Sequence, residues 1–427
     1  AQTTGDLRST NGGSSSTQVG AAQFGTNLVT RLLFHPTLPN YVIALTAGAS
    51  GDIYRSTDGG VTWAATDAPA GNWDDIDYGP VSGAGIREFY AVGGNSSAGG
   101  RIYRSTNQGG NWTVVNDATA TSQTIMDVAV SKGTFGKVYV LHPNSNTMYR
   151  STNSGASWTN LNLTAAAGFP NALDASNPLY NWSQDTYDLY VETSQVGDTE
   201  YVWVGLITLA LSTNSGATWT DFGRSYLSNS RLHNDQHCFA THPTIGYIGI
   251  AGGDGGVFRT TYLAGVLNSI ASLNNNLYTT QFYHHSVHPT NYANYVMGGT
   301  QDNASPASKA NMASWKNLYA GDGAWSDFQP SNPAIHVTSA QNGAVYRYTT
   351  DGDLSPDGIN ANWGSVNFIA PLIYAGTSTL LIGANSTAMR WNGVAGSWTG
   401  STNFGSNART FAVGTSNTAR VYAGCNN

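Results

Sequence analysis

Charge is what this chain has least of. Charged residues make up 10 % of its 427 residues, with Lys132, Lys137, Lys309 and Lys316 its four lysines against 25 acidic residues. The net charge is −7, which argues against an electrostatic grip on nucleic acid or on an anionic membrane, since both need clustered cations. Cysteine is nearly absent. Cys238 and Cys425 cannot build a disulfide framework, and their spacing is not that of a metal knuckle. No apolar run reaches the roughly 18 residues of a membrane-spanning helix, and no useful stretch has helical periodicity.

Glycine, serine, threonine and asparagine take the place of charge. With 50 glycines and 40 % hydrophobic residues, the composition suits short buried strands joined by tight turns. The chain is long enough for two ordinary domains or one large repeat fold. It opens on "AQTTG", as a secreted protein does after cleavage behind a small residue. Few lysines and many Asn and Thr agree. The expected location is extracellular or at the cell surface.

One box recurs: "LRSTNGGSSSTQ", "YRSTDGGVTWAA", "YRSTNQGGNWTV", "YRSTNSGASWTN", "LSTNSGATWTDF". Aligned on the first Ser or its equivalent, the copies stand at 9, 56, 105, 151, 212 and 260, in steps of 47, 49, 46, 61 and 48. Weaker copies follow at "YRYTTDGD" and "MRWNGVAGSW", and the 88 residues between 260 and 348 hold two units. A period in the forties is that of a four-stranded propeller blade. One unit reads "VTRLLFHP", "YVIALTA", "DIYRST" and "TWAATD", four β-prone runs split by turn residues.

The box has a mechanical reading. Asp58, or Asn107, Asn153 and Asn214 in its place, accepts hydrogen bonds from the turn's own N–H groups. Gly60, Gly109, Gly155 and Gly216 supply the positive φ that follows. Trp63, Trp112, Trp158 and Trp219 offer an apolar face to bury beside the next blade. The boxes resemble the Asp-box (BNR) repeat, S-x-D-x-G-x-x-W, which implies a structural turn between the outer two strands of a blade, away from any active site.

The ends of the chain complement each other. "DLRST" and "STQVG" read as third and fourth strands, while "RTFAVGT" and "RVYAGCNN" read as first and second strands. The expected fold is therefore all-β, a single large β-propeller over 1–427. It has eight whole units plus one blade split between 4–20 and 408–427, about nine blades in all. The 61-residue unit carries an insertion at 164–190. The half-blades either close on each other, leaving no open edge, or complete a neighbouring molecule's blade and build a fibre. In a closed ring Cys238 and Cys425 lie further apart than the roughly 7 Å that a disulfide spans between Cα atoms, so no bond within the chain is expected. An intermolecular bond would account for two thiols in an exported protein.

Residues 231–325 are the least repetitive part. Their "RLHNDQHCFATHP", "GGDGGVFR", "YTTQFYHHSVHP" and "GGTQDNAS" resemble the middle region of secreted Asp-box propellers related to sortilin ectodomains and xyloglucan-degrading glycoside hydrolases. That resemblance implies a propeller and an exported protein, and it leaves the activity open. His233, Asp235 and His237 alternate, and on a strand they would share one face. Asp254, Asp302 and Asp322 stand in Gly-rich ends of neighbouring units and can converge with them to bind a divalent ion such as calcium, or a sugar. The competing reading is that these groups pin loops to adjacent blades.

Glycoside cleavage needs two carboxyls at a defined separation. The xyloglucanase-like base lies in a motif resembling "RTDxGGaYR" near the chain start, where this sequence has "LTAGASGDIYR" without the Asp. Asp254 fits that motif's shape in a later unit. Asp254 and Asp322 are the catalytic candidates, and Asp74, Asp75 and Asp77 form the other dense carboxylate group. Sialidase chemistry wants three substrate-binding arginines, but Arg55, Arg104, Arg150, Arg259 and Arg347 occupy one repeat position and read as blade packing. No G-x-S-x-G nucleophile occurs.

Twelve Trp and 23 Tyr exceed what the boxes use. Tyr180, Trp182 and Tyr187, in "PLYNWSQDTYDLY", would stack on sugar rings if exposed. The sequence as a whole reads as a secreted binding or structural module that contacts glycans, needs no cofactor and can self-assemble. The alternative is a glycoside hydrolase.

Overall fold

The computed structural model describes residues 5–95, 99–116, 126–142, 146–171, 180–225, 230–263, 266–277, 279–291, 294–309, 314–350, 355–414 and 417–425. Among them are eight four-stranded antiparallel sheets, each built from consecutive strands, and two two-stranded sheets. Among the described residues, helix is confined to Ala21–Phe24 and two 3₁₀ turns. No helix among the described residues is long and apolar enough to cross a membrane.

The third sheet shows how the sequence makes one unit. Asp127–Val130, Val138–His142, Thr147–Ser151 and Thr159–Asn160 pair in order. Its first two strands are buried along their whole length, because a neighbouring sheet covers each face. That explains why "DVAV" and "VYVLH" run apolar without alternation. Tyr90, Val92 and Ile102 of the second sheet pack on Val128, Val130, Val138 and Val140 of the third. Burying each such aliphatic side chain contributes about 1.5–3 kcal/mol before entropy is counted. Four-stranded meanders stacked face to face are propeller blades, so the fold class expected from the repeat is the one observed.

The chain divides into two compact units, 1–277 and 278–427. The first holds the sheets at 28–65, 72–116, 127–160, 190–221 and 236–272, and the second those at 284–317, 323–358 and 372–400. Two sheets fill the long interval between the box positions at 260 and 348. The terminal sheets, Asp6–Arg8 with Thr17–Val19 and Ala408–Val413 with Val421–Cys425, are two-stranded. In the 164–190 segment, residues 172–179 lie outside the described residues, and Tyr180–Trp182 is a 3₁₀ turn.

The boxes are turns, and their polar side chains are spent on the backbone. Asp58 Oδ1 accepts from the N–H groups of Val61 (3.1 Å) and Thr62 (2.9 Å), and Asp58 Oδ2 from the Thr62 hydroxyl (2.6 Å). Ser56 Oγ accepts from the Gly60 N–H. Asn107, Asn153 and Asn214 accept from Asn111, Ser157 and Thr218 in the same way. Gly155 and Gly216 sit at φ 82° and 84°, where a Cβ is disfavoured. Three arginines at the repeat position bind one blade to the next, whereas Arg104 pairs with Glu88 of its own sheet at 2.7 Å. Arg8 donates to the Gly59 carbonyl, Arg55 to Asn107 and Arg150 to Ser215, each in the following box.

A second stitch was not legible as such. Carboxylates on an innermost strand accept backbone N–H groups from the innermost strand of the next sheet. Asp75 takes Val128, Asp77 takes Val130, Asp127 takes Val191, and in the second unit Asp327 takes Tyr374, at 2.7–3.1 Å. Asp75 also pairs with Arg31 at 2.7 Å and Asp77 with Lys132 at 2.6 Å. The dense group Asp74, Asp75 and Asp77 is thus occupied in joining sheets.

Candidate functional site

In a meander, the start of the first strand and the turn between the second and third lie at the same end of the sheet. In the fifth sheet Asp235 immediately precedes the first strand, Gln236–Thr241, and Asp254 lies in the turn between Ile248–Gly253 and Gly256–Leu263. His237 Nε2 lies 2.6 Å from Asp254 Oδ1, and its Nδ1 lies 3.2 Å from Asp188 Oδ1. Asp188 comes from the preceding sheet, just before its first strand Tyr190–Val196, and is fully buried. Gln184 Nε2 donates to Asp235 Oδ1 at 3.1 Å. Tyr187, 62 % exposed, stands edge-on to the His237 ring at 4.7 Å.

The electrostatics follow from this crowding. Burial first, and then the charge of Asp235, lift the Asp188 carboxyl to about 8. Burial also raises Asp235, while its hydrogen bond with Asp188 works the other way. Of these carboxyls Asp188 is thus pushed towards its protonated form, beside the His237 ring. The hydrogen bond to Asp254 raises His237 above its ordinary value, against the opposing effect of burial. The cluster thus sets a buried carboxyl on one side of an imidazole and a carboxylate on the other, under an exposed phenol.

His233, Asp235 and His237 do not share one strand face. Asp235 adopts φ 61°, which breaks the alternation, and the strand begins only at Gln236. His233 turns back on the loop, with Nδ1 3.1 Å from the Asn234 carbonyl. It packs against Gly255, where a Cβ would come within 2.3 Å of its side chain. Trp182 is not an exposed platform either. It is buried, stacked on Phe169 at 5.8 Å, with its indole N–H donated to Asn171. The Tyr180 side chain lies outside the described residues.

The second unit holds a smaller counterpart. Asp322 immediately precedes the strand Gly323–Phe328, and Asp302 lies between the strands Val296–Gly299 and Pro306–Ser308 of the sheet before. The Asp302 N–H donates to Asp322 Oδ1 at 2.8 Å, and the Asp322 N–H donates to Gln341 Oε1 at 3.1 Å. The Tyr283 hydroxyl donates to Gln301. Burial first, and then the charges of Asp322 and Asp302, push that phenol up. The two catalytic candidates thus fall in different units, Asp254 in the first and Asp322 in the second. For calcium, Asp235 and Asp254 offer oxygen ligands. Two carboxylates of the first unit alone are fewer than the six to eight oxygens that ion takes.

Asp188, Gln184 and Tyr283 are the participants that the sequence reading missed. Asp188 adjoins Tyr187 and precedes an innermost strand, close to where Asp75 and Asp127 stand in theirs.

No protein-family model and no curated protein matches this chain. Among solved structures it is similar to an ancestral GH74 enzyme, at 16 % identity and a TM-score of 0.45, over 99 % of this chain and 63 % of that one. It is also similar to the GH74 xyloglucanase of Xanthomonas campestris, at 13 % and 0.39, over 97 % and 70 %. YCF48 from Cyanidioschyzon merolae follows, at 13 % and 0.38, over 73 % and 92 %. This chain therefore spans less than two thirds of the first of these. At such identities and TM-scores the likenesses say nothing of what this chain acts on.

Proposed function

We propose that the protein is an extracellular or cell-surface binding module whose glycan contact is the cluster of Tyr187, His237, Asp254 and Asp235 in the first unit. The observation that carries this reading is Tyr187. It is an exposed aromatic side chain held edge-on to an imidazole and placed beside carboxylates. An aromatic face supplies apolar contact area, while convergent carboxylates and amides fix orientation through hydrogen bonds. Sugar hydroxyls suit acceptors of this kind. A divalent ion at Asp235 and Asp254 belongs to the same reading, and chelation with EDTA would then weaken binding.

One observation favours the second reading, a glycoside hydrolase. Asp188 is fully buried beside His237, and burial lifts its carboxyl to about 8, in the direction a general acid needs. Against it, Asp188 is fully buried with Oδ1 3.2 Å from His237 Nδ1, whereas a general acid must reach the glycosidic oxygen. Affinity electrophoresis against soluble β-glucans and xyloglucan, with a reducing-end assay on the same mixtures, separates the two. Retardation without new reducing ends supports binding. New reducing ends abolished by Asp188→Asn would replace it with hydrolysis. Neither retardation nor cleavage on any polysaccharide would remove the glycan reading.

A further inference from the structure

We propose that the first unit holds a second ligand site, a cavity at the far end of its innermost strands that seats the primary ammonium of a small organic molecule on Glu192. The cavity has a volume of about 610 Å³, which lies within the range of small-molecule sites. The second to fifth sheets enclose it, through Asp77, Lys132, Glu192 and Phe239 in turn. It is separate from the Tyr187 cluster. That cluster stands where the strands Tyr190–Val196 and Gln236–Thr241 begin, whereas the cavity reaches the turn at 242–246, beyond the end of the second of them.

Strand alternation aims Glu192. Val191 shares a core with Ala129 of the third sheet, and Thr193 donates its hydroxyl to the Val130 carbonyl there at 2.7 Å. Tyr190 stacks on Phe239 of the fifth sheet, and Ser194 donates to the Gly246 carbonyl at 2.7 Å. Glu192 stands between Tyr190 and Ser194 and takes their side of the strand. There its side chain lines the cavity.

The neighbouring charges are already engaged, and Glu192 is the exception. Lys132 donates to both oxygens of Asp77, at 2.7 and 2.6 Å, and to the Tyr78 carbonyl at 3.3 Å, which uses its three protons. Arg87 donates to the Gly79 carbonyl and lies over the Tyr78 ring at 5.2 Å. His242 Nδ1 accepts the N–H groups of Thr244 and Ile245. Among the described residues Glu192 belongs to no ion pair. Its carboxyl accepts the Thr193 N–H. An incoming anion would meet cations that have partners, while an ammonium meets a carboxyl that lacks one. Phe239, Pro80 and Pro243 give the body of such a molecule apolar contact.

Binding of this kind carries a proton signature. Burial pushes the Glu192 carboxyl up to about 8; Lys132 works against that rise, and the charges of Asp77 and Asp75 add to it. An ammonium seated there favours the carboxylate, so the proton leaves as the amine binds. Titration calorimetry at pH 7 with cyclohexylamine, and with cyclohexanol as its uncharged counterpart, tests this in two buffers of different ionisation enthalpy. The expected result is saturable binding of the amine alone, with release of about one proton per molecule bound. Glu192→Gln should weaken that binding at least about tenfold. Equal binding of the alcohol, unchanged affinity in Glu192→Gln, or no binding of the amine would overturn the proposal. Should the variant not fold, the unmodified protein decides, because amine binding without proton release contradicts a seat on Glu192. This inference does not rest on the glycan reading, since the titrations contain no sugar.

Discussion

The two units place carboxylates alike and equip them differently. Each puts one Asp before a first strand (Asp235, Asp322) and one in the turn between second and third strands (Asp254, Asp302). Each sets an exposed tyrosine and a glutamine nearby. Only the first adds His237 and the buried Asp188. In the second, Asp322 is spent on a backbone N–H, as the box residues are. The same repeat positions thus give a cluster of carboxyls around an imidazole in one unit and a loop clasp in the other.

The largest expected effect separates them by pH. The folded state raises Asp188, so it binds more protons than the unfolded chain from the ordinary carboxylate value of 3.8 up to about 8, and stability falls as pH rises through that window. His237 is raised as well. Its contribution is complete below 6.5 and is lost as pH rises through its folded value. Both act in one direction. Urea unfolding across pH 4–9 should show a declining midpoint, and Asp188→Asn should flatten the decline; an unchanged slope in the variant would break the distinction.

A smaller effect concerns the tyrosines. Tyr187→Ala should weaken polysaccharide binding about tenfold or more, as loss of an aromatic anchor does, and Tyr283→Ala should leave it nearly unchanged. Equal losses in affinity electrophoresis would make the two clusters equivalent. The smallest effect is the clasp itself. Asp322→Ala should cost about 1 kcal/mol for one lost hydrogen bond, and Asp322→Asn, which keeps an acceptor, less. A loss of glycan binding in Asp322→Asn would instead place the second cluster in the site.

Most of the fold was legible because one physical device recurs in phase. Ser56, Asp58, Gly60 and Trp63 each have a local reason to be where they are, and a turn that repeats every forty-odd residues dictates four short strands between its copies. The repeated arginines were legible for the same reason. Residues joining different sheets were not. Asp75 and Asp127 act on backbone fifty or more residues away, a separation no local pattern encodes. The candidate site was half legible. His237, Asp254 and Asp235 stand out in the sequence, but strand alternation does not run through Asp235, whose left-handed backbone ends it. Trp182 and Tyr187 carry the same kind of signal in sequence, and only packing decides that Phe169 covers one and solvent meets the other.

The measurement that bears most directly on the central claim is affinity electrophoresis of the unmodified protein and Tyr187→Ala side by side in gels containing soluble β-glucan or xyloglucan. Retardation of the former and near-free migration of the latter is the predicted result. Equal retardation of both would contradict it, because the exposed phenol beside His237 would then have no part in holding the glycan.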